Sequence, residues 1–350
     1  MDAQEFIRYQ QEMRRIYRRV SATLLMVLLV MILLWVLSGS SLSPREKKIY
    51  SSIAEAQSEI WRWKETLGKN QKDIFDRNRT GLIGLEWSSI STTIGDLPSK
   101  RTSCDPRWGI VISRWLDELD VHSKDSVVVL SSSSFPGMTL NVLMALEERD
   151  ADVCLVLSLG SSTWGANDPD MTWPVVSAHL RELGLLRTGQ RYLTLGGGGD
   201  NGGGLSEDGI EKMNELAASE STQLIVRNSL AEMIAWKMQV IKEIKPKAVI
   251  NIGGAHSSLG ADDSAIGLAP GLHRIQDKSA GDGVIAKSLE AGYPVIHLLN
   301  MRELCTETGV PFDSAPRPFM RGSKSIVCAF VGLLVFAAVL FFSKRWKIMP

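Results

Sequence analysis

Leu193–Met213, LTLGGGGDNGGGLSEDGIEKM, reads as a short strand, a loop of seven glycines around Asp200 and Asn201, and a helix. Ser206 is placed to cap that helix, with Glu207 and Asp208 in the first turn, where the helix dipole favours acids. Glycine permits positive φ and close approach of a ligand to the backbone, and the following helix start offers free N–H groups. The glycines do not fall in the G-x-G-x-x-G register, and an acidic first turn opposes a phosphate there. A flexible glycine linker is the plainer alternative. Against it stands the recurrence of polar loops of this kind at three other strand ends.

Working outward, Ser126–Leu130 (SVVVL) is an apolar strand followed by the loop Ser131–Gly137 (SSSSFPG) and a helix to about Glu148. Val153–Leu159 (VCLVLSL) leads into Gly160–Asp170 (GSSTWGANDPD) and a helix near Val175–Leu183. Gln223–Val226 precedes a helix over Leu230–Ile244. Ala248–Ile252 (AVINI) precedes Gly253–Gly260 (GGAHSSLG) and a polar connection through His273. A helix near Val284–Glu290, a strand at Val295–Leu299 and a closing segment Met301–Thr308 follow. Short strands apolar on both faces, alternating with helices, predict an α/β domain: a mostly parallel, Rossmann-like sheet with helices on both faces, over residues 81–310. Upstream, Trp108–Leu119 has helical spacing, and Gly81–Lys100 reads as an entry strand or loop.

The 350-residue chain carries 39 basic and 39 acidic residues, so bulk charge does not point to nucleic acid. Two uncharged runs, residues 20–38 and 325–342, are long enough to cross a hydrocarbon core, and the domain is expected to be flanked by two transmembrane helices. Arg8, Arg14, Arg15, Arg18 and Arg19 precede the first, within a basic segment 1–19, and Lys344, Arg345 and Lys347 follow the second, within a tail 343–350. Charge asymmetry therefore places both termini in the cytoplasm and the domain outside a bacterial inner membrane. A cleaved signal peptide competes for the first run, but the long charged prelude and the lack of an A-x-A site favour an uncleaved anchor. After it, Ser43-Pro44-Arg45-Glu46 forms a capping box. Ile49, Ile53, Ala56, Ile60, Trp63 and Leu67 then recur at heptad spacing over a stalk helix, 43–68, whose seam either self-associates or packs on its own domain. Pro311, Pro316 and Pro318 mark residues 311–324 as an exit linker. Cys104, Cys154 and Cys305 lack zinc or disulfide-framework spacing, although one pair among them stays open; Cys328 falls in the second run.

Loops after parallel strands gather along one edge, where ligands bind. Here they supply Ser131, Ser132, Ser133, Ser134, Ser161, Ser162, Thr163, Asn167, Asp168, Asp200, Asn201, Asn251, Gly253, Gly254, His256, Ser257 and Ser258, nearly all small and polar. Such groups suit carboxylate, phosphate or sugar oxygens, and the serine loop is similar to those that hold phosphosugars in sugar-isomerase domains. Lys100, Arg101 and Thr102 add positive charge if the entry segment returns to that edge. His256, the one histidine in a strand-end loop, is the candidate general base, with a hydrogen-bonded surface group as its plain alternative. Asp200 and Ser133 are the other catalytic candidates. Asp168, Asp170 and Asp200 could meet a hard cation, but no metal motif, nucleophile elbow or P-loop is present, and no cofactor is required.

Arg101-Thr102-Ser103, Ser133–Gly137 (SSFPG), Gly165–Trp173 (GANDPDMTW), Gly197–Ser206 (GGGDNGGGLS) and Asn251–Gly254 (NIGG) resemble the membrane-anchored poly-γ-glutamate system proteins. The resemblance spans roughly Gly81 to Gly260 together with the N-terminal anchor. It implies a part in poly-γ-glutamate synthesis, export or attachment, with the polymer or the membrane subunits of its synthase as partners; it carries no catalytic mechanism. A polyanion favours a groove lined by Arg and Lys, and these loops hold few of either, so a small group such as a chain end fits better than a long track. A non-catalytic accessory subunit and a γ-glutamyl hydrolase or transferase are the two resulting expectations, with a phosphosugar-binding domain as the third.

Overall fold

The computed structural model describes residues 2–37, 42–72, 74–261, 267–274, 281–316, 331–336 and 338. The chain divides into two compact units, Pro44–Pro318 and the two ends, Met1–Ser43 with Phe319–Pro350.

In the terminal unit, α1 (Ala3–Leu37) is a single helix of 35 residues. Its stretch Ala3–Leu33 is long and apolar enough to be a membrane span or a signal sequence. Most of the second apolar run, including Cys328, the later part of the exit linker and the basic tail lie outside the described residues; a second span is not shown.

The larger unit begins with α2 (Pro44–Thr66), α3 (Leu97–Ser103) and α4 (Arg107–Glu118). The alternating part follows as β1 (Ser126–Ser132), α5 (Pro136–Glu147), β2 (Asp152–Ser158), α6 (Trp173–Glu182), β3 (Gln190–Thr194), α7 (Glu207–Ser219) and β4 (Gln223–Ile225). It continues as α8 (Leu230–Ile244), β5 (Ala248–Ile252), α9 (His256–Leu259), β6 (Gly271–His273), α10 (Val284–Glu290), β7 (Val295–Leu298) and α11 (Met301–Thr308). The seven strands lie in the order β4-β3-β2-β1-β5-β7-β6. Every described pairing is parallel except β6 with β7. The α/β expectation is met, with one strand missed: β6 lies in the stretch read as a polar connection, too short for any period to show.

Val127, Val128, Val129 and Leu130 are all buried, which a strand achieves only when both sheet faces are covered. Val128 and Leu130 pack with Ile234, Met238 and Ile241 of α8 and Ile285 and Leu289 of α10. Val127 and Val129 point the other way, towards the layer in which α2, α4 and α5 pack on one another.

The seam of α2 belongs to that layer. Ile49, Ile53, Ala56, Gln57, Ile60 and Lys64 are buried, and Gly109 of α4 lets the helices approach so closely that a Cβ there would lie 2.5 Å from Ile53 Cδ1. Lys64 Nζ donates to Gly81 O at 3.0 Å. At the flank of the heptad pattern Trp63 stacks on His179 of α6 with centroids 4.0 Å apart, and Leu67 alone is exposed. The helix is thus part of the domain rather than a separate stalk, and the domain starts at Pro44 instead of residue 81.

Gly81–Lys100, expected as an entry strand or loop, is a strap across the strand ends that finishes in α3. Thr92 N–H donates to Ser161 O at 2.8 Å, Ser161 N–H to Ile90 O and Thr163 N–H to Thr93 O at 2.9 Å. On α3, Arg101 grips Asp313 through Nε and Nη2, both at 2.7 Å. The first residues of the exit linker are therefore fastened to α3.

Candidate functional site

The chain leaves β1 in one direction for β2, β3 and β4, and returns on its other side as β5. Such a switch point opens a crevice at the carboxyl ends of the strands. Here the crevice is a cavity of about 600 Å³. Its walls are the β1 loop (Ser132, Ser134, Phe135), the β2 end (Ser158, Gly160, Ser162), the glycine loop (Gly196–Gly198) and the β5 loop (Gly254, Ala255, His256). Asn300, Met301 and Arg302 close it at the β7 end, while the strap and α3 bring Thr92, Thr93, Gly95, Asp96, Ser99 and Lys100.

Lys100 is the cation of this cavity. Its side chain is 2% exposed, with Nζ 2.6 Å from Ser162 Oγ and donating to Ser134 O at 2.5 Å. Nζ also sits 3.9 Å from the centre of the Phe135 ring. Among the described residues no carboxylate forms an ion pair with it. Burial pushes its pKa down to about 7, against smaller upward pulls from Cys104 and Asp96. Cys104 is itself a buried thiol pushed up to about 12, chiefly by burial, so at neutral pH it brings no charge.

Asp200 has a different position from the one expected. It is fully buried, and its carboxylate accepts from Lys237 Nζ and Ser257 Oγ, each at 2.5 Å. Ser158 Oγ at 3.0 Å and Thr194 Oγ1 at 3.1 Å complete the set. Burial pushes the Asp200 carboxyl up, but the Lys237 ammonium and the hydroxyl donors outweigh it and hold it below the usual carboxylate range. The result is an anchor for the glycine loop. The loop is a hydrogen-bonded knot rather than a linker: Gly198 and Gly203 exchange N–H···O bonds of 2.7 and 3.1 Å. A Cβ on Gly203 would sit 2.6 Å from Gly198 O, so glycine is required there.

His256 stands exposed at the rim. Its Nδ1 accepts from Gly199 N–H at 2.9 Å, which leaves the neutral ring's proton on Nε2. The bond clasps the glycine loop to the β5 loop across the cavity mouth, as the hydrogen-bonded alternative for this residue expects.

Of the residues expected to bind ligand, Ser132, Ser134, Ser162, Gly254 and His256 line the cavity. The others do not, and internal bonds hold the polar atoms of most of them. Ser131 Oγ pairs with Thr139 Oγ1 at 2.7 Å, Ser161 Oγ donates to Ser133 O, and Thr163 Oγ1 accepts from Gly95 N–H at 2.6 Å. Asn167 bonds both backbone groups of Leu85 and Ser91 Oγ, fixing the strap. Asp168 and Asp170 share Lys69, so with Asp200 paired to Lys237 the three acids do not converge on a cation. Asn201 bridges back to Gly196 within the loop. Asn251 Nδ2 donates to Gly253 O at 2.8 Å and meets His297 Nδ1 at 3.2 Å. Ser257 belongs to the Asp200 anchor. Ser133, a catalytic candidate, is buried with an unpartnered hydroxyl and outside the cavity lining, as Ser258 is.

Arg101, held by Asp313, and Thr102, whose Oγ1 donates to Pro98 O, also stay out. Lys100 alone of that trio reaches the edge. Arg302, Ser158 and the strap residues were missed. Arg302 follows directly on a parallel strand end and was legible by the same rule as the other loops. The strap shows no pattern that announces where it goes. The strand-end loops themselves supply no basic residue to the lining, and the cleft's cations, Lys100 and Arg302, come from α3 and α11. His297 lies inside β7; burial pushes it down to about 4, so it is neutral.

Cys104, Cys154 and Cys305 are free, buried thiols, so the open disulfide pair does not form. Among the described residues no group of three or more His, Cys, Asp or Glu side chains could hold a metal ion. Compared with known protein families, with curated proteins and with solved structures, the chain matches none. Fold and cleft together define a Rossmann-like α/β domain with a polar switch-point cleft and an N-terminal apolar helix.

Proposed function

We propose that this is a membrane-tethered protein, held by α1 and by the second apolar run with both termini cytoplasmic, whose outward domain binds a small carboxylate-bearing group in the switch-point cleft. The chain end of a γ-linked glutamate polymer is such a group, in keeping with the resemblance to poly-γ-glutamate system proteins. One observation carries the reading: Lys100 is buried in the cleft without a carboxylate of its own. A buried ammonium lacking a counter-ion is costly, and an incoming carboxylate offsets that cost. Arg302, at the β7 end, gives the cleft lining a second cation. The cavity suits a group of one or two residues, which favours an accessory role at a chain end over gripping a polymer along its length. A phosphosugar gains less support, because Ser131 and Ser133 of the serine loop face away from the cleft or bond within the protein.

The test is calorimetry on the detergent-solubilised full chain at pH 7.5 with γ-linked diglutamate, α-linked diglutamate and inorganic phosphate. Saturable binding of the γ-linked ligand, weakened about tenfold or more in Lys100→Met, is the expected result; 1.4 kcal/mol corresponds to that factor. Equal affinity in wild type and Lys100→Met, or a preference for phosphate, would sink the reading.

A further inference from the structure

We infer that Ser162 and Lys100 form a serine–lysine pair, with Ser162 Oγ the nucleophile and Lys100 Nζ its general base, acting on an amide or ester carbonyl held in the cleft. Their atoms are 2.6 Å apart, within the range a nucleophile and its base require. Both residues line the cavity.

The surroundings hold the pair in one geometry. Lys100 Nζ donates to Ser134 O, which leaves a lone pair of the neutral amine for the Ser162 hydroxyl proton. Ser162 N–H donates to Ser134 Oγ at 2.9 Å, tying the β2 turn to the β1 loop. Two residues on, Trp164 has φ +64°, a left-handed conformation that is unfavourable for a bulky residue and persists only where the surroundings enforce it. Its N–H donates to Leu85 O at 2.8 Å, and its O accepts from Gly84 N–H. Next to it, Gly165 lies so near the β1 loop that a Cβ would fall 2.8 Å from Ser134 O. On the strap side, a Cβ on Gly95 would come 2.9 Å from Lys100 Cε and 3.0 Å from Ser162 Oγ, so backbone seals that flank of the pair.

A serine–lysine pair requires an amine that is neutral at working pH and kept from water. Burial, which draws Lys100 down to about 7, meets that condition. The titratable groups acting on it are Asp96, which caps α3, and the neutral Cys104 thiol; His256 and Arg302 line the wider cavity. In the reaction, Ser162 Oγ attacks the carbonyl carbon while its proton passes to Lys100 Nζ, and the π-bond pair moves to the carbonyl oxygen. Collapse breaks the bond to the leaving amine or alcohol, which takes the proton from Lys100, and acyl-Ser162 remains. Water, or a second amine, then attacks the ester. Its proton goes to Lys100 and on to the departing Ser162 Oγ, so that the enzyme is regenerated. The substrate class is a γ-glutamyl amide whose carbonyl meets Ser162 and whose carboxylate lies towards Arg302, since an ion pair with Lys100 would keep that amine protonated. The pair shares that cleft but does not depend on the carboxylate reading.

The experiment is to treat the detergent-solubilised full chain with a fluorophosphonate, which a nucleophilic serine captures with loss of fluoride, and to locate the adduct by peptide mass spectrometry. Labelling of Ser162 at a rate rising with pH through about 7 is expected. Label should vanish in Ser162→Ala and slow about 10²-fold in Lys100→Met, the lower end of general-base contributions. Ser162→Ala removes one oxygen, and its urea midpoint, with its γ-linked diglutamate affinity, reports whether the cleft is intact. Adduct on another residue, no adduct on a folded wild-type chain, or an unchanged rate in folded Lys100→Met would overturn the pair. Labelling at Ser162 without diglutamate binding would leave the pair standing and remove the carboxylate reading.

Discussion

Lys100 ties stability to pH in a direction that can be measured. Its pKa is about 7 in the fold against 10.5 for a solvated lysine side chain. Between these values the unfolded chain binds more protons than the folded one, so this residue's contribution to stability rises with pH. Below about 7 the penalty of the buried ammonium is complete, and above 10.5 it is gone. Urea midpoints of wild type and Lys100→Met should therefore converge or cross as pH goes from about 7 to about 10, the wild type gaining up to about 1.4 kcal/mol per unit. Parallel profiles would show that Lys100 is not buried as described. Asp200 differs from Lys100 in having a partner of opposite charge. Replacing Lys237 by Met leaves a buried carboxylate unpaired, which costs about 3–5 kcal/mol. Lys237→Met should unfold at much lower urea, with the glycine loop opening first in hydrogen exchange. A fully stable Lys237→Met would mean that Asp200 is not the anchor of that loop.

Among the elements, α2 is where period and destination part company. Its heptad spacing is equally suited to a partner helix and to the surface of its own domain, because both bury one stripe. The choice goes to the domain through Gly109, whose missing side chain opens a seat for Ile49 and Ile53. Gly109→Ala should cost about 1–3 kcal/mol by overpacking. Ile53→Val removes the methyl that the new Cβ would meet, so the double variant should recover part of the loss. Additive effects in that cycle would place α2 elsewhere. The strap is the second such element. Most of its bonds to the β2 turn are made by backbone groups that any sequence carries, so its composition does not reveal the course.

For the molecule as a whole, the proposed orientation rests on the arginines in the N-terminal half of α1, and it puts Pro44–Pro318 on the opposite side of the membrane from Arg8. Glu290 is exposed on the domain and Arg8 on α1. In intact cells an impermeant maleimide should label Glu290→Cys and spare Arg8→Cys, since the native thiols of the domain are buried. The reverse pattern would overturn the orientation.

The α/β class, the parallel strands and the edge that carries the cleft were legible along the chain, because they rest on local periods: continuous apolar runs of strand length, glycine and serine where the chain leaves the sheet, and helix starts after them. Which hydroxyls of those loops face the cleft was not legible. Ser132 and Ser134 do, while Ser131 and Ser133 between and beside them do not. A serine looks the same in sequence whether its partner is a ligand or a threonine eight residues away. Lys100 shows the same limit. A lysine is ordinarily solvated, and this one is drawn into the cavity by the strap, by the Ser134 carbonyl and Phe135 ring of the β1 loop, and by Ser162 of the β2 loop, three separate parts of the chain. Burial and hydrogen bonding of a side chain are set by groups distant in sequence, and so belong to the assembled fold.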